Sequence, residues 1–187
     1  MNNSMKNKTA SLLYALLALF ALPFLSGSAE AATDSRASET VTISGLVEKP
    51  FTITIPSIKL MTVEKRKNSA IVCDSGQTKQ TLKSFKGVLL RDILNLAKVQ
   101  ITNPRERGEY AVMVRSTDHY NVLFSYDELY YGAAGDNTLL VFEENGKPID
   151  KEGAFVLFCT NDRVTGPRLV KWVNRIEISK INTAEPN

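Results

Sequence analysis

One histidine and two cysteines among 187 residues leave no zinc constellation in this chain. Its charges nearly balance, 23 lysines and arginines against 20 aspartates and glutamates, and the basic residues lie in separate loops rather than in one run. That argues against nucleic acid as a partner. There is no internal repeat and no low-complexity block. The main apolar run, Leu12 to Leu25, is shorter than the roughly 20 residues a membrane helix needs and contains Pro23. No arginine precedes Arg36, so a twin-arginine export signal is absent.

What the N-terminus does contain is ordered like an export signal. Lys6 and Lys8 precede the apolar run, and Ser28-Ala29-Glu30-Ala31-Ala32 follows it with small residues. This predicts a secretory signal peptide over residues 1–31, cleaved after Ala31, and a periplasmic protein with no transmembrane anchor in its mature chain. Residues 32–39 read as a flexible leader and 182–187 as a tail. The remainder, 40–181, is the length of one domain with one sizeable core.

Within that domain Val41 to Val47 alternates apolar and polar positions, turns at Glu48-Lys49-Pro50, and alternates again over Phe51 to Ile55. Met61 to Lys65 and Ala70 to Cys73 read as a further strand pair. Leu90, Ile93, Leu94 and Ala97 share one face of a helix with a buried stripe. Tyr110 to Arg115, Tyr120 to Phe124, Thr138 to Phe142, Ala154 to Thr160 and Trp172 to Ile178 are β-rich, Tyr126 to Tyr131 is a short helix, and Glu144-Asn145-Gly146-Lys147 is a turn. Strands dominate and the helices are few and segregated, which predicts an α+β fold.

The most telling stretch is Phe155 to Ile178, where two apolar strands flank a loop carrying Arg163, Gly166, Arg168, Lys171 and Trp172. Anion-holding groups at the rim of a rigid scaffold mark a ligand site. Gly166-Pro167-Arg168-Leu169-Val170-Lys171-Trp172 resembles the Gly-Ala-Arg-x-Val-Lys-Trp loop of the oxidoreductase molybdopterin-binding domain family, the sulfite oxidase fold. Four further segments follow that family's order. Gly45 to Phe51 is similar to its opening hairpin, Phe85 to Leu94 to its strand-to-helix junction, Asp118-His119-Tyr120 to its Asp-Gly-Tyr turn, and Val141 to Pro148 to its Asn-Gly turn. The resemblance covers Val41 to Ile178 and implies mixed, strand-rich sheets with a few short helices.

It also implies a pterin site. Cys73 stands where the family's enzymes have the cysteine that binds molybdenum, beside Gly76 and near Lys79 and Lys83. The residues leave three roles open for it: molybdenum ligand, disulfide partner of Cys159 in an oxidising compartment, or free thiol. Tyr120 or Trp172 would supply an aromatic wall, Asp74 or Asp118 a carboxylate for the donor edge of the ring, and Arg168 with Lys171 the cations. For Trp172 the alternative is core packing. His119, alone at its turn, reads as a solvated loop residue rather than a general base.

Small exported single-domain relatives of this fold are similar to periplasmic pterin-binding proteins, and that resemblance implies that this chain binds a reduced pterin and presents it to a membrane sensor. The alternative is a molybdopterin-dependent oxidoreductase with Cys73 as metal ligand, working with a membrane electron-transfer protein. Export of an unfolded chain, and a chain that opens at the first hairpin, favour pterin without molybdenum. Arg168, Lys171 and Trp172 are expected to converge with Cys73 and the Asp118 to Tyr120 turn on one concavity.

Overall fold

Two five-stranded sheets share most of the buried surface, and the order of their strands decides which loops meet. The computed structural model describes residues 38–181; the expectations for residues 1–37 and 182–187 lie outside the described residues. Ser38, read as leader, is buried: its hydroxyl donates to the Val173 carbonyl at 2.7 Å.

The first sheet has the order β2 (Phe51–Ile53), β1 (Val41–Gly45), β10 (Val173–Lys180), β5 (Tyr110–Ser116), β6 (Val122–Ser125), with β1 and β10 parallel and the other pairs antiparallel. Alternation places Val41, Ile43, Val112, Val114, Ile176 and Ile178 on its inner face. Gly45, at φ +89, ends β1 where a Cβ would lie 2.0 Å from the Ile178 carbonyl oxygen, so only glycine allows that approach.

The second sheet runs β3 (Glu64–Val72), β4 (Thr78–Leu89), β7 (Thr138–Glu144), β8 (Lys147–Pro148), and β9 (Val156–Cys159) also pairs with β7. Strand β7 is apolar on both faces because both are covered. Leu140 and Phe142 join Leu157 and Cys159 in the main core, whereas Leu139 and Val141 pack with Phe158, Phe85, Leu82 and Ile71 in a second cluster. The main core is completed by the stripe of α2 (Leu90–Ala97), whose Leu90, Ile93, Leu94 and Ala97 are all fully buried. Each large side chain of that stripe contributes roughly 1.5–3 kcal/mol by leaving water.

The differences from the sequence reading have local causes. The strand expected over Phe51 to Ile55 stops at Ile53, because Thr54 caps the short helix α1 (Ile55–Ile58). Its hydroxyl accepts from the Ser57 amide at 3.2 Å, and the Thr54 amide in turn donates to the Ser57 hydroxyl at 2.8 Å. The expected pair Met61 to Lys65 and Ala70 to Cys73 is largely one strand, β3, and its true partner is β4. The first half of β4 is polar and exposed, so it carries no alternation to read. The turn at Asn145-Gly146 adopts positive φ at both residues, as a tight hairpin between β7 and β8 requires. The short helix expected over Tyr126 to Tyr131 is α3 (Tyr126–Tyr130).

Candidate functional site

The site grows from the turn that joins β3 to β4. The Gly76 amide donates to the Cys73 carbonyl at 2.8 Å and the Cys73 amide to the Gln77 carbonyl at 2.9 Å, which fixes Cys73 and Asp74 at the end of the hairpin. The loop after β9 then docks on the edge of β3. Buried Thr165 donates its hydroxyl to the Ala70 carbonyl at 2.8 Å and accepts from the Val72 amide at 2.9 Å, a stand-in for the missing strand neighbour. Gly166 follows, so close to β3 that a Cβ would meet the Val72 carbonyl oxygen at 2.7 Å. Tyr120 closes the other side, its hydroxyl donating to the Pro167 carbonyl at 2.7 Å.

Between these pieces lies a cleft of about 360 Å³ whose walls include Cys73, Asp74, Lys79, Tyr120, Gly166 and Lys171. Of the residues expected at the site, four come together here: Cys73, Asp74, Tyr120 and Lys171. Cys73 is half-buried with its thiol free. Lys171 is tied to Glu152 by an ion pair.

Arg168 does not face the cleft, contrary to the expected convergence. Its Nε donates to Asp162 Oδ2 at 2.7 Å, its Nη1 to Glu128 Oε1 at 2.5 Å, and its guanidinium lies 4.6 Å from the centre of the Phe124 ring. Those two carboxylates hold it charged well above the ordinary arginine range, Asp162 the more strongly. Glu128 also completes the cap of α3, accepting from the Ser125 amide at 3.0 Å. Arg168 therefore clamps the loop to α3 and β9, and the reason is geometric: the 3-10 turn Gly166–Arg168 puts Gly166 and Arg168 on different sides of the chain.

Asp118 is spent within its own turn, accepting from the Ser116 hydroxyl and from the Tyr120 amide at 3.0 Å, and so positions Tyr120 rather than lining the cleft. Trp172 also lies off the cleft wall. At φ +50 it packs by Gly153, whose Cβ would sit 3.0 Å from the indole, and its amide donates to the Glu152 carbonyl at 2.7 Å. The disulfide is corrected as well: Cys73 and Cys159 are both free thiols. Cys159 points into the main core beside Asn161 and Arg168, where burial pushes its thiol pKa up, while Cys73 opens on the cleft. Lys79, Thr165, Asp162 and Glu128 complete the site and its support. Only the polar hairpin around Lys79 gave a hint of any of them, since the others act through contacts distant in sequence.

These features define a class before they define a ligand. The chain matches the oxidoreductase molybdopterin binding domain family over residues 29–186, and it belongs to that family. Its two-sheet architecture is the sulfite oxidase-type fold. The sulfane dehydrogenase SoxCD from Paracoccus pantotrophus is similar in structure, with a TM-score of 0.56 and 20% identity over 81% of this chain and 40% of that one. This chain thus spans about 40% of the length of the SoxCD chain, and the likeness at that identity concerns the fold. No curated protein matches the sequence. Among the described residues no helix is long and apolar enough to cross a membrane.

Proposed function

We propose that this protein is an exported, periplasmic member of the family that binds a pterin in the Cys73 cleft and presents it to a membrane sensor. The observation that carries the reading is the state of the cations. Arg168 is neutralised by Asp162 and Glu128, and Lys171 is paired with Glu152, so Lys79 is the one cation of the cleft wall with no ion pair among the described residues. A wall of this kind suits an uncharged ring better than a ligand bearing a phosphate. Tyr120 offers a face for stacking, Asp74 an acceptor for the amino edge, and the volume falls within the usual range for small ligands. The N-terminal pattern of Lys6, Lys8 and a short apolar run supports export without a folded cofactor.

A second reading has its own support in Cys73. A free, half-buried thiol on the cleft wall is a suitable ligand for a soft metal, so the site also accommodates a molybdopterin. Cys73 would then hold the metal, Lys79 would face the phosphate, and Lys171 would join it on release from Glu152. Such a cofactor supplies oxygen-atom or electron transfer, and the partner would be a membrane electron-transfer protein.

The deciding experiment is metal analysis and fluorescence of the denatured extract, on protein purified from its own periplasm. Pterin without molybdenum is the expected result. Molybdenum together with pterin would establish the oxidoreductase, and a preparation with neither would overturn both readings.

A further inference from the structure

On the far side of the Asp118 to Tyr120 turn from the cleft, the outer face of the first sheet has a second concavity, of about 300 Å³. Arg115, His119, Asn121, Asn174 and Arg175 line it. None of them takes part in the pterin reading.

Two irregularities of the backbone bring these side chains together. The first is a bulge in β10: Val173 pairs with Ser116 and Arg175 with Arg115, so Asn174 is the extra residue. In an unbroken strand Asn174 and Arg175 would point to opposite faces. Here Val173 and Ile176 are fully buried, and the two residues between them both turn outward. The second is His119, the only histidine, held at φ +68. A non-glycine residue in that region costs about 1 kcal/mol, and here it sets an imidazole at the rim.

The charges are arranged against stability unless something joins them. Arg115 and Arg175 are direct cross-strand neighbours of like sign, which is unfavourable in an antiparallel pair. Glu177 relieves one of them, accepting from Arg115 Nε at 2.8 Å. Arg175 has no ion pair or hydrogen bond from its side chain among the described residues. The terminal nitrogens of both guanidiniums and the amides of Asn121 and Asn174 remain as donors. Ser116 is committed, since its hydroxyl already serves Asp118 and the Tyr120 carbonyl.

From this geometry we infer that the concavity binds a tetrahedral oxyanion of the phosphate type, held between Arg115 and Arg175 with His119 and the two asparagine amides at its edge. Guanidinium pairs suit such an anion because each presents a planar fork of donors to two oxygens. The anion is either free in solution or the phosphate group of a larger ligand.

Because the sequence has one histidine, its imidazole gives one set of ring proton signals, and these report directly on the site. Titration of the protein with inorganic phosphate at constant ionic strength is expected to move the His119 signals saturably, and chloride is not. Arg175→Gln should weaken the apparent affinity about tenfold to a hundredfold, the loss of a charge-assisted contact. Lys171→Ala, in the cleft, should leave it unchanged, which separates this site from the pterin site. His119→Asn, which tolerates positive φ, should keep the fold, and phosphate binding to it is followed by calorimetry. Saturation by phosphate identifies a free anion, whereas saturation by phenyl phosphate alone identifies the phosphate group of a larger ligand. A linear response to both, an equal response to chloride, or unchanged affinity in Arg175→Gln would overturn the assignment.

Discussion

Replacing Arg168 by methionine distinguishes two roles for this residue, because the family loop marks it as a ligand contact and its surroundings make it a clamp. Methionine retains much of the apolar stem that lies over Phe124 and removes the guanidinium. Asp162 and Glu128 then lose their partner, with side-chain exposures of 17% and 35% against 27% for Arg168. Removing one member of a buried pair costs about 3–5 kcal/mol, and partial access of water to the abandoned carboxylates puts this case at the lower end, about 3 kcal/mol. With a urea m-value of about 2 kcal/mol/M, the unfolding midpoint should fall by about 1.5 M. The assay is urea unfolding followed by circular dichroism, beside a pterin titration of the folded variant. A second variant, Arg168→Met with Asp162→Asn, should recover about 1 kcal/mol or more relative to the sum of the single changes, since the contact is shared. A midpoint that hardly moves while pterin affinity collapses would refute the clamp and return Arg168 to the ligand.

The thiols should separate by accessibility: a maleimide is expected to label Cys73 in the native protein and Cys159 only after unfolding, and mass spectrometry of the two peptides checks this. Burial raises the pKa of Cys159, so the unfolded chain gives up this proton first, in the ordinary thiol range; folding stability linked to this group is intact below that range and is lost as pH rises through the folded value. Stability measured as pH rises through and above the ordinary thiol range should therefore fall less steeply in Cys159→Ala than in wild type. Gly166→Ala should destabilise the protein by about 1–3 kcal/mol, because its Cβ drives the loop off the Val72 carbonyl, and thermal unfolding reads the change. Lys171→Ala is expected to leave stability within about 0.5–1 kcal/mol, as for an exposed ion pair, and pterin titration shows whether Lys171 leaves Glu152 to meet the ligand.

Short-range physics made much of the fold legible in the chain. The stripe Leu90, Ile93, Leu94, Ala97 could only be a buried helix face, and the alternation in Val41 to Val47 could only be half-buried strand, because side-chain period follows from backbone geometry, while Tyr110 to Arg115 was legible by its β-rich residue types. The Asn145-Gly146 turn was equally plain, since few residues accept positive φ. Strand β4 was not legible, because its first half is polar and exposed and it is held by pairing with β3 rather than by burial. At the site, the resemblance to the family, rather than the loop motif alone, led to the expectation that Cys73, Tyr120 and Lys171 lie near one another, yet the direction of each side chain was a tertiary matter. Gly166 can approach β3 only because Thr165 satisfies the Val72 amide and the Ala70 carbonyl, more than ninety residues away in sequence. That docking sets the turn of the chain at Pro167, and the turn sends Arg168 to Asp162 and Glu128 instead of into the cleft. Residue types and spacing thus determined which chemistry the loop carries; packing between distant segments decided that Arg168 and Lys171 meet carboxylates of the protein, which leaves Lys79 of β4 as the cation of the cleft wall with no ion pair among the described residues.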